Sequence, residues 1–318
     1  MRRVRYTSPG GPLFLEHVPV PEPGPGELLV HCEAVGVTLP VVRKVTEAAE
    51  PVPLGGEVAG EVVAAGDGVT GFRAGDRVTG LCFGHGYADF AVLRQEMASP
   101  VPDGAGAVDA VALVRSGLVA LGALSAAHPR PGESALVTAA ASGVGQLAVR
   151  LARTRGAARV VGAVSDPAKA DFVRSLGADD VVVYGDDDWG EPVDYVLDGV
   201  GGDLLTPAVA ALAPGGRLVA YSSGGGTVRA YDLLVGARTV TGFQVARIAR
   251  ERPGLYERWR RDLWRLFADG VLRPAAIVAG LVAGALVVRR SDWFTGAGTA
   301  QVASIVALIT GTLAAVAA

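Results

Sequence analysis

Short apolar runs punctuated by glycine and proline fill the chain from Met1 to about Pro102, and a longer rhythm follows them. The runs LLVHCEAVGV, GEVAGEVVAAG, DRVTGLCF and YADFAVL are broken by turn-rich pieces such as VPEPGPGE and GDGVTGFRAGD, a pattern that predicts short antiparallel strands. Between Ala107 and Ala127 apolar residues cover most faces without a Gly-Pro pair, which predicts a mostly buried helix bridging two domains. After PRPGE, the run ALVTAAASGVGQLAVRLARTRGA reads as a strand, a glycine bend and an amphipathic helix, with RVVGAV as the next strand, so a βαβ unit is expected. The alternation continues through PAKADFVRSLGA, DDVVVYG, YVLDGV, TPAVAALA and GGRLVAYSS, predicting a doubly wound parallel sheet in an α/β fold.

Composition sharpens this picture. With 318 residues, 50% hydrophobic and 19% charged, the chain suits two well-buried domains and excludes wholesale disorder. A net charge of -3 without a basic run excludes nucleic acid as a partner. Cys32 and Cys82 are the only cysteines and MRRVRYTSPGG has no apolar signal core, so the expected compartment is a reducing cytoplasm without a disulfide framework. From Ala275 the composition changes. Ala276 to Val288 is uncharged but too short for a bilayer, and Ala300 to Ala318 is marginal, diluted by Gln301, Ser304, Thr310 and Thr312. The tail 275–318 is read either as a packing or membrane element giving weak membrane association, or as an end replaced by a shifted reading frame or recombination.

The segment AASGVGQLA sets Ser142, Gly143, Val144 and Gly145 at a strand-to-helix junction. Glycine there lets the backbone approach a pyrophosphate, and the helix N-terminus offers free N–H groups and the positive end of its dipole. At the end of the next strand an acid would hold the ribose of NAD, whereas hydroxyl and basic groups accept a 2′-phosphate. Ser165 and Lys169 stand there, while Asp166 reads as the cap of a helix opening at Pro167, so NADPH is the expected cofactor.

The runs VPVPEPGPGELLV, GGEVAGEVVAAGDGVTGFRAGDRV, GYADF, RPGESALVTAAASGVGQLAVRLAR, SLGADDVVVY, VLDGVGG and LAPGGRLV occur in one order over residues 1 to 274. In them the chain resembles the medium-chain dehydrogenase/reductase superfamily, most closely its zinc-independent quinone oxidoreductase and enoyl reductase branch. The resemblance implies a GroES-like catalytic domain over 1–116, a Rossmann-type nucleotide domain over 117–246 with a nicotinamide cofactor, a return segment 247–274 to the catalytic domain, and a cleft between the domains. It implies Gly143, Val144 and Gly145 at the pyrophosphate, Ser165, Lys169 and Tyr184 around the 2′-phosphate, and the loop Ser222 to Gly226, with Gly224, together with Phe243 flanking the nicotinamide. Tyr184 is open to a reading as a strand-end aromatic, Gly224 as part of a flexible loop and Phe243 as core. A homodimer is also implied.

The zinc-bearing branch of that superfamily places its ligands where this chain has Val37 to Pro40, Gly56 before Glu57, and Arg115 or Ser116, so no metal is expected. Cys82 and His85 form a lone C-x-x-H pair, which is not a site. The family's usual Asn and Thr are replaced here by Thr38 and Val119, and Val119 donates no hydrogen bond to a nicotinamide. Without a metal, hydride delivery to a quinone or to the β-carbon of an α,β-unsaturated carbonyl is the expected chemistry. Thr38 is the candidate to hold the oxygen, His85 or Tyr87 the candidate proton source, and Arg115 either a substrate ligand or a salt-bridged helix residue. Two alternatives stand beside this: a catalytically quiet NADPH-binding sensor or structural protein, and a tailoring enoyl or ketone reductase acting on a carrier-bound or lipid substrate.

Overall fold

The computed structural model describes residues 1–274 apart from Phe83, Ser222 and Ser223, and beyond them only the paired backbone segments Leu281–Val282 and Ala285–Leu286. The readings made above for the tail 275–318 otherwise fall outside the described residues. The chain divides into two compact units at Arg115/Ser116.

In the first unit β1 (Arg2–Arg5) and β2 (Phe14–His17) form an antiparallel hairpin. They are followed by β3 (Glu27–Val35), helix α1 (Leu39–Glu47), β4 (Glu57–Ala65), β5 (Arg77–Leu81), β6 (Phe90–Arg94) and β7 (Ala98–Pro100). The last five strands make one antiparallel sheet in the order β6-β3-β4-β5-β7. Strand alternation explains its face: Leu28 and Val30 of β3 point inward with Val58, Val62, Val78, Ala91 and Leu93, whereas His31 and Glu61 face solvent. A second core gathers Val4, Tyr6, Val41, Val45, Leu54 and Tyr87; Val41 and Val45, one helical turn apart, give α1 its buried stripe. Asp89, just before β6, accepts from the backbone N–H of Arg2 at 2.7 Å and pairs with its guanidinium at 2.8 Å, pinning β1 to the sheet.

Helix α2 (Ala107–Ala126) spans the division between the units. By length and composition it could cross a bilayer, yet most of it is buried within the protein, as a core helix is.

The second unit alternates β8 (Ser134–Val137), α3 (Gly143–Thr154), β9 (Arg159–Val164), α4 (Ala170–Ser175), β10 (Asp180–Val183), β11 (Val193–Asp198), α5 (Leu205–Ala210), β12 (Leu212–Ala220), α6 (Ala230–Gly236) and β13 (Thr239–Gly242). All six strands run parallel in the order β10-β9-β8-β11-β12-β13, the doubly wound Rossmann arrangement, whose order reverses between β8 and β11. Strands such as Ala135–Val137 and Val160–Val164 are apolar throughout because both faces of a parallel sheet are covered.

Helices α7 (Val245–Glu251) and α8 (Pro253–Ala268) close the described chain. Residues 247–274, expected to return to the first domain, instead group with the second unit. The reason is the stripe Tyr256, Trp259, Leu263 and Phe267, buried at helical spacing: Trp259 lies 6.2 Å from the Phe243 ring, and Leu263 sits so close to Gly117 that an added Cβ would come within 2.8 Å of its methyl carbon.

Candidate active site

The glycine bend follows β8, at the edge of the sheet's switch point. Ala139 takes a left-handed backbone (φ 48°), which turns the chain sharply, and its N–H donates to the hydroxyl of Tyr184 at 2.8 Å. Ser142 is the N-cap of α3, its hydroxyl accepting from Gly145 N–H at 3.0 Å. Ser142 and Gly145 thus satisfy one another, and the donors that remain at the helix start are the N–H groups of Gly143 and Val144, with Gly143 exposed. Gly145 serves by its small size: a Cβ there would overlap the carbonyl oxygen of Ala139. An open helix N-terminus, with only the Ser116 hydroxyl near Gly143, fits an anionic ligand such as a dinucleotide diphosphate.

The ends of β9 and β10 bring the next three residues together. Tyr184 N–H donates to Val164 O at 2.9 Å, which sets Tyr184 beside the end of β9 where Ser165 follows. Lys169, 9% exposed, donates from Nζ to Ser165 Oγ at 2.8 Å. Burial lowers the Lys169 pKa from the ordinary value, with Asp166 acting against that. The Asp166 carboxylate accepts from Ala168 N–H at 2.8 Å and caps the turn Pro167–Lys169, so it is engaged locally rather than facing a ribose. The Tyr184 phenol is pushed up to about 12 by burial, and its oxygen props the bend through Ala139.

At the switch point stands a network the sequence reading passed over. Asp198, 0% exposed, accepts from Thr138 Oγ1 at 2.7 Å, from Val200 N–H at 3.2 Å and from Gly201 N–H at 3.0 Å, while Thr138 Oγ1 accepts from Gly199 N–H at 2.8 Å. The signal was an acid ending an apolar strand directly before a glycine run, where a buried charge needs donors. The loop so held packs backbone to backbone on Gly224–Gly226: Gly202 N–H donates to Gly225 O at 2.8 Å, and a Cβ on Gly224 would overlap Val200 O. Gly224 is therefore a packing position as well as a loop glycine. Ser222 lies outside the described residues. Phe243 packs tilted against Trp259 and fills the space above Gly122 of α2, where a Cβ would overlap its ring.

In the first unit Thr38 precedes α1 and its hydroxyl makes no capping bond. Tyr87, expected as a proton source, is buried and donates from its hydroxyl to Gly36 O at 3.1 Å, and burial pushes its pKa far above the ordinary phenol range. It packs and steadies the turn before Thr38. His85 sits 3.3 Å from Arg3 Nη1, and its imidazole is lowered from the ordinary value by burial and by Arg3 and Arg5, with Glu16 acting against them, which disfavours its protonated form. Arg115 pairs with Glu57 at 3.3 Å; the Glu57 carboxyl is pushed up by burial and pulled back by Arg115. Each is a lone charge inside an apolar run, the signal that should have paired them. The Arg115 side chain is 27% exposed on its other side. Glu57 also lies under Gly36, where a Cβ would come within 2.6 Å of its carboxylate oxygen. Cys82 is pushed up to about 11 and Cys32 upward by burial, which leaves both as inert thiols. Among the described residues no three His, Cys, Asp or Glu side chains are grouped to hold a metal ion.

Family models described as the alcohol dehydrogenase GroES-like domain and the zinc-binding dehydrogenase match residues 24–120 and 143–268. A quinone oxidoreductase of Pseudomonas aeruginosa is 33% identical over 250 residues, covering 73% of this chain and 76% of the relative. A spectinabilin polyketide synthase system protein of Streptomyces orinoci is 34% identical over 264 residues, 80% of this chain but 12% of that much longer protein. Among solved structures, a mycobacterial protein in complex with NADPH superposes with a TM-score of 0.82 at 28% identity over 98% of each chain.

Proposed function

The chain belongs to the medium-chain dehydrogenase/reductase superfamily, in its quinone oxidoreductase and enoyl reductase branch, and from that premise we propose that this NADPH-dependent oxidoreductase reduces a quinone or an α,β-unsaturated carbonyl compound. The observation that carries the reading is the open start of α3 at Gly143 and Val144 with the Lys169–Ser165 pair at the neighbouring strand end. Both features suit a dinucleotide with a 2′-phosphate. When bound, NADPH supplies a hydride from its nicotinamide ring. The chain's part is to bind and orient. Gly143 and Val144 N–H groups hold the diphosphate, Lys169 and Ser165 the 2′-phosphate, and the Asp198 network keeps the loop 199–202 in one shape. Thr38, with its hydroxyl uncommitted, and the open side of Arg115 receive the negative charge that develops on the acceptor oxygen. With Tyr87 bonded to Gly36 and the protonated form of His85 disfavoured by its neighbours, the proton that completes the reduction comes from solvent.

Following NADPH absorbance with the purified protein and a panel of benzoquinones, enals and enones tests the proposal. Turnover of at least one class is expected. Tight NADPH binding without reduction of any class would leave the sensor reading instead. The similarity to a polyketide synthase protein favours a second reading, a tailoring reductase of carrier-bound enoyl groups. Enoyl thioesters of pantetheine belong in the same panel, and a strong preference for them over free enones selects it. The proposal includes a homodimer, checked by light scattering, and weak membrane association through 275–318, checked by fractionation.

A further inference from the structure

Helix α2 carries a polar group that neither the fold nor the residues assigned above account for. Ser116 is 8% exposed, and its hydroxyl has no hydrogen-bond partner among the described residues. The residue is largely enclosed, yet its oxygen is not among the fully buried unpartnered atoms, so the hydroxyl keeps a donor open to an acceptor that arrives from outside the chain. Its surroundings say where that acceptor sits. An ideal Cβ on Gly143 would lie 3.3 Å from Ser116 Oγ, and apart from the neighbouring residues and backbone of α3 itself no other described heavy atom comes within 4 Å of it. The hydroxyl therefore faces the first residue of α3, the same residue whose N–H is left open and whose surface is exposed.

The rest of that α2 face is apolar. Val119, three residues on, is buried, and Gly122, three further, makes room for the Phe243 ring. Positions three apart share a helix face, so Ser116 is the polar end of a strip running from the glycine bend toward Phe243. Val119 offers no donor, and the hydroxyl one turn earlier supplies one.

We propose that Ser116 is a further cofactor ligand, its hydroxyl donating to a diphosphate oxygen of the dinucleotide at the start of α3. The assignment rests on the NADPH reading above. It completes a three-donor cradle: the N–H groups of Gly143 and Val144 from one side and the Ser116 hydroxyl from the other.

Equilibrium titration of the full chain, by quenching of its intrinsic fluorescence, separates the possibilities. S116A should weaken NADPH about tenfold, the usual scale for one hydrogen bond to a charged group. ADP-ribose, which keeps the diphosphate, should weaken by the same factor, whereas adenosine 2′-phosphate, which lacks it, should bind as before. S116D, placing a carboxylate against the diphosphate, should weaken NADPH more than S116A does. Melting curves without ligand should match between S116A and the parent chain, because the hydroxyl has no internal partner to lose. If the parent binds NADPH and S116A binds it equally well, Ser116 is no ligand while the NADPH reading stands. If S116A weakens adenosine 2′-phosphate as much as NADPH, or lowers the ligand-free melting temperature to match, the hydroxyl acts on the fold and the proposal is overturned. A parent chain that binds no NADPH overturns both.

Discussion

Lys169 illustrates how one residue's surroundings decide what it recognises. Its ammonium is buried and hydrogen-bonded to Ser165, and burial lowers its pKa from 10.5. A 2′-phosphate favours the charged form, so binding NADPH raises the Lys169 pKa where binding NADH does not. The preference for NADPH over NADH is thus complete at pH values where Lys169 is charged and is lost as pH rises through its depressed pKa, below the ordinary lysine range. Kd ratios for the two coenzymes measured across that alkaline range check the sign, and a flat ratio would place the 2′-phosphate elsewhere. K169E turns attraction into repulsion and should cost NADPH roughly 2–3 kcal/mol of binding while leaving NADH nearly unchanged. Lys169 and Ser165 were readable in the sequence because their spacing after a glycine bend is local. The roles of Tyr87 and His85 were not. Which acceptor a phenol meets, and which cations surround an imidazole, depends on strands brought together from distant positions: Gly36 for Tyr87, Arg3 and Arg5 for His85.

The start of α3 makes the same point at the scale of an element. Its two glycines look alike in the run SGVG, yet the backbone treats them differently. At Gly143 a side chain would meet one hydroxyl at a tolerable distance, whereas at Gly145 it would overlap the Ala139 carbonyl and press on Ala140. G145A should therefore move the helix off its strand and lower stability by about 1–3 kcal/mol, the cost of overpacking a closed site. G143A should leave stability within about 0.5 kcal/mol. Chemical denaturation of the two variants side by side tests this, and equal losses would mean that the close approach at Gly145 is not what the bend requires. The elements β3, β4, α2 and the β8–α3–β9 unit were legible because apolar runs of sufficient length leave one period to choose from. Helix α1 and the β1–β2 hairpin escaped notice: LPVVRKVTE is a two-turn segment with a two-residue apolar stripe, and its helicity comes from the pocket that Val4, Tyr6, Leu54 and Tyr87 form for Val41 and Val45.

For the whole molecule, the decisive structural fact is that the second unit does not end with its sheet. Residues 247–274 read in sequence as a segment on its way back to the first domain, because nothing local tells an amphipathic helix which surface it will cover. In the structure α8 turns Tyr256, Trp259, Leu263 and Phe267 into the second unit, with Leu263 against Gly117 and Trp259 against Phe243. Burying each such side chain is worth about 1.5–3 kcal/mol. Four of them together approach the 5–15 kcal/mol that holds an ordinary domain folded. A fragment spanning 117–246, which keeps the six-stranded sheet but strips α8, should fail to fold cooperatively. A fragment spanning 116–274 should unfold in one transition and bind NADPH, since the bend, Lys169, Ser165 and Ser116 all belong to it. Far-UV circular dichroism melts of both fragments, with and without NADPH, decide the matter: if 117–246 melts as cooperatively and as high as 116–274, the buried stripe on α8 is dispensable and the second unit closes without it.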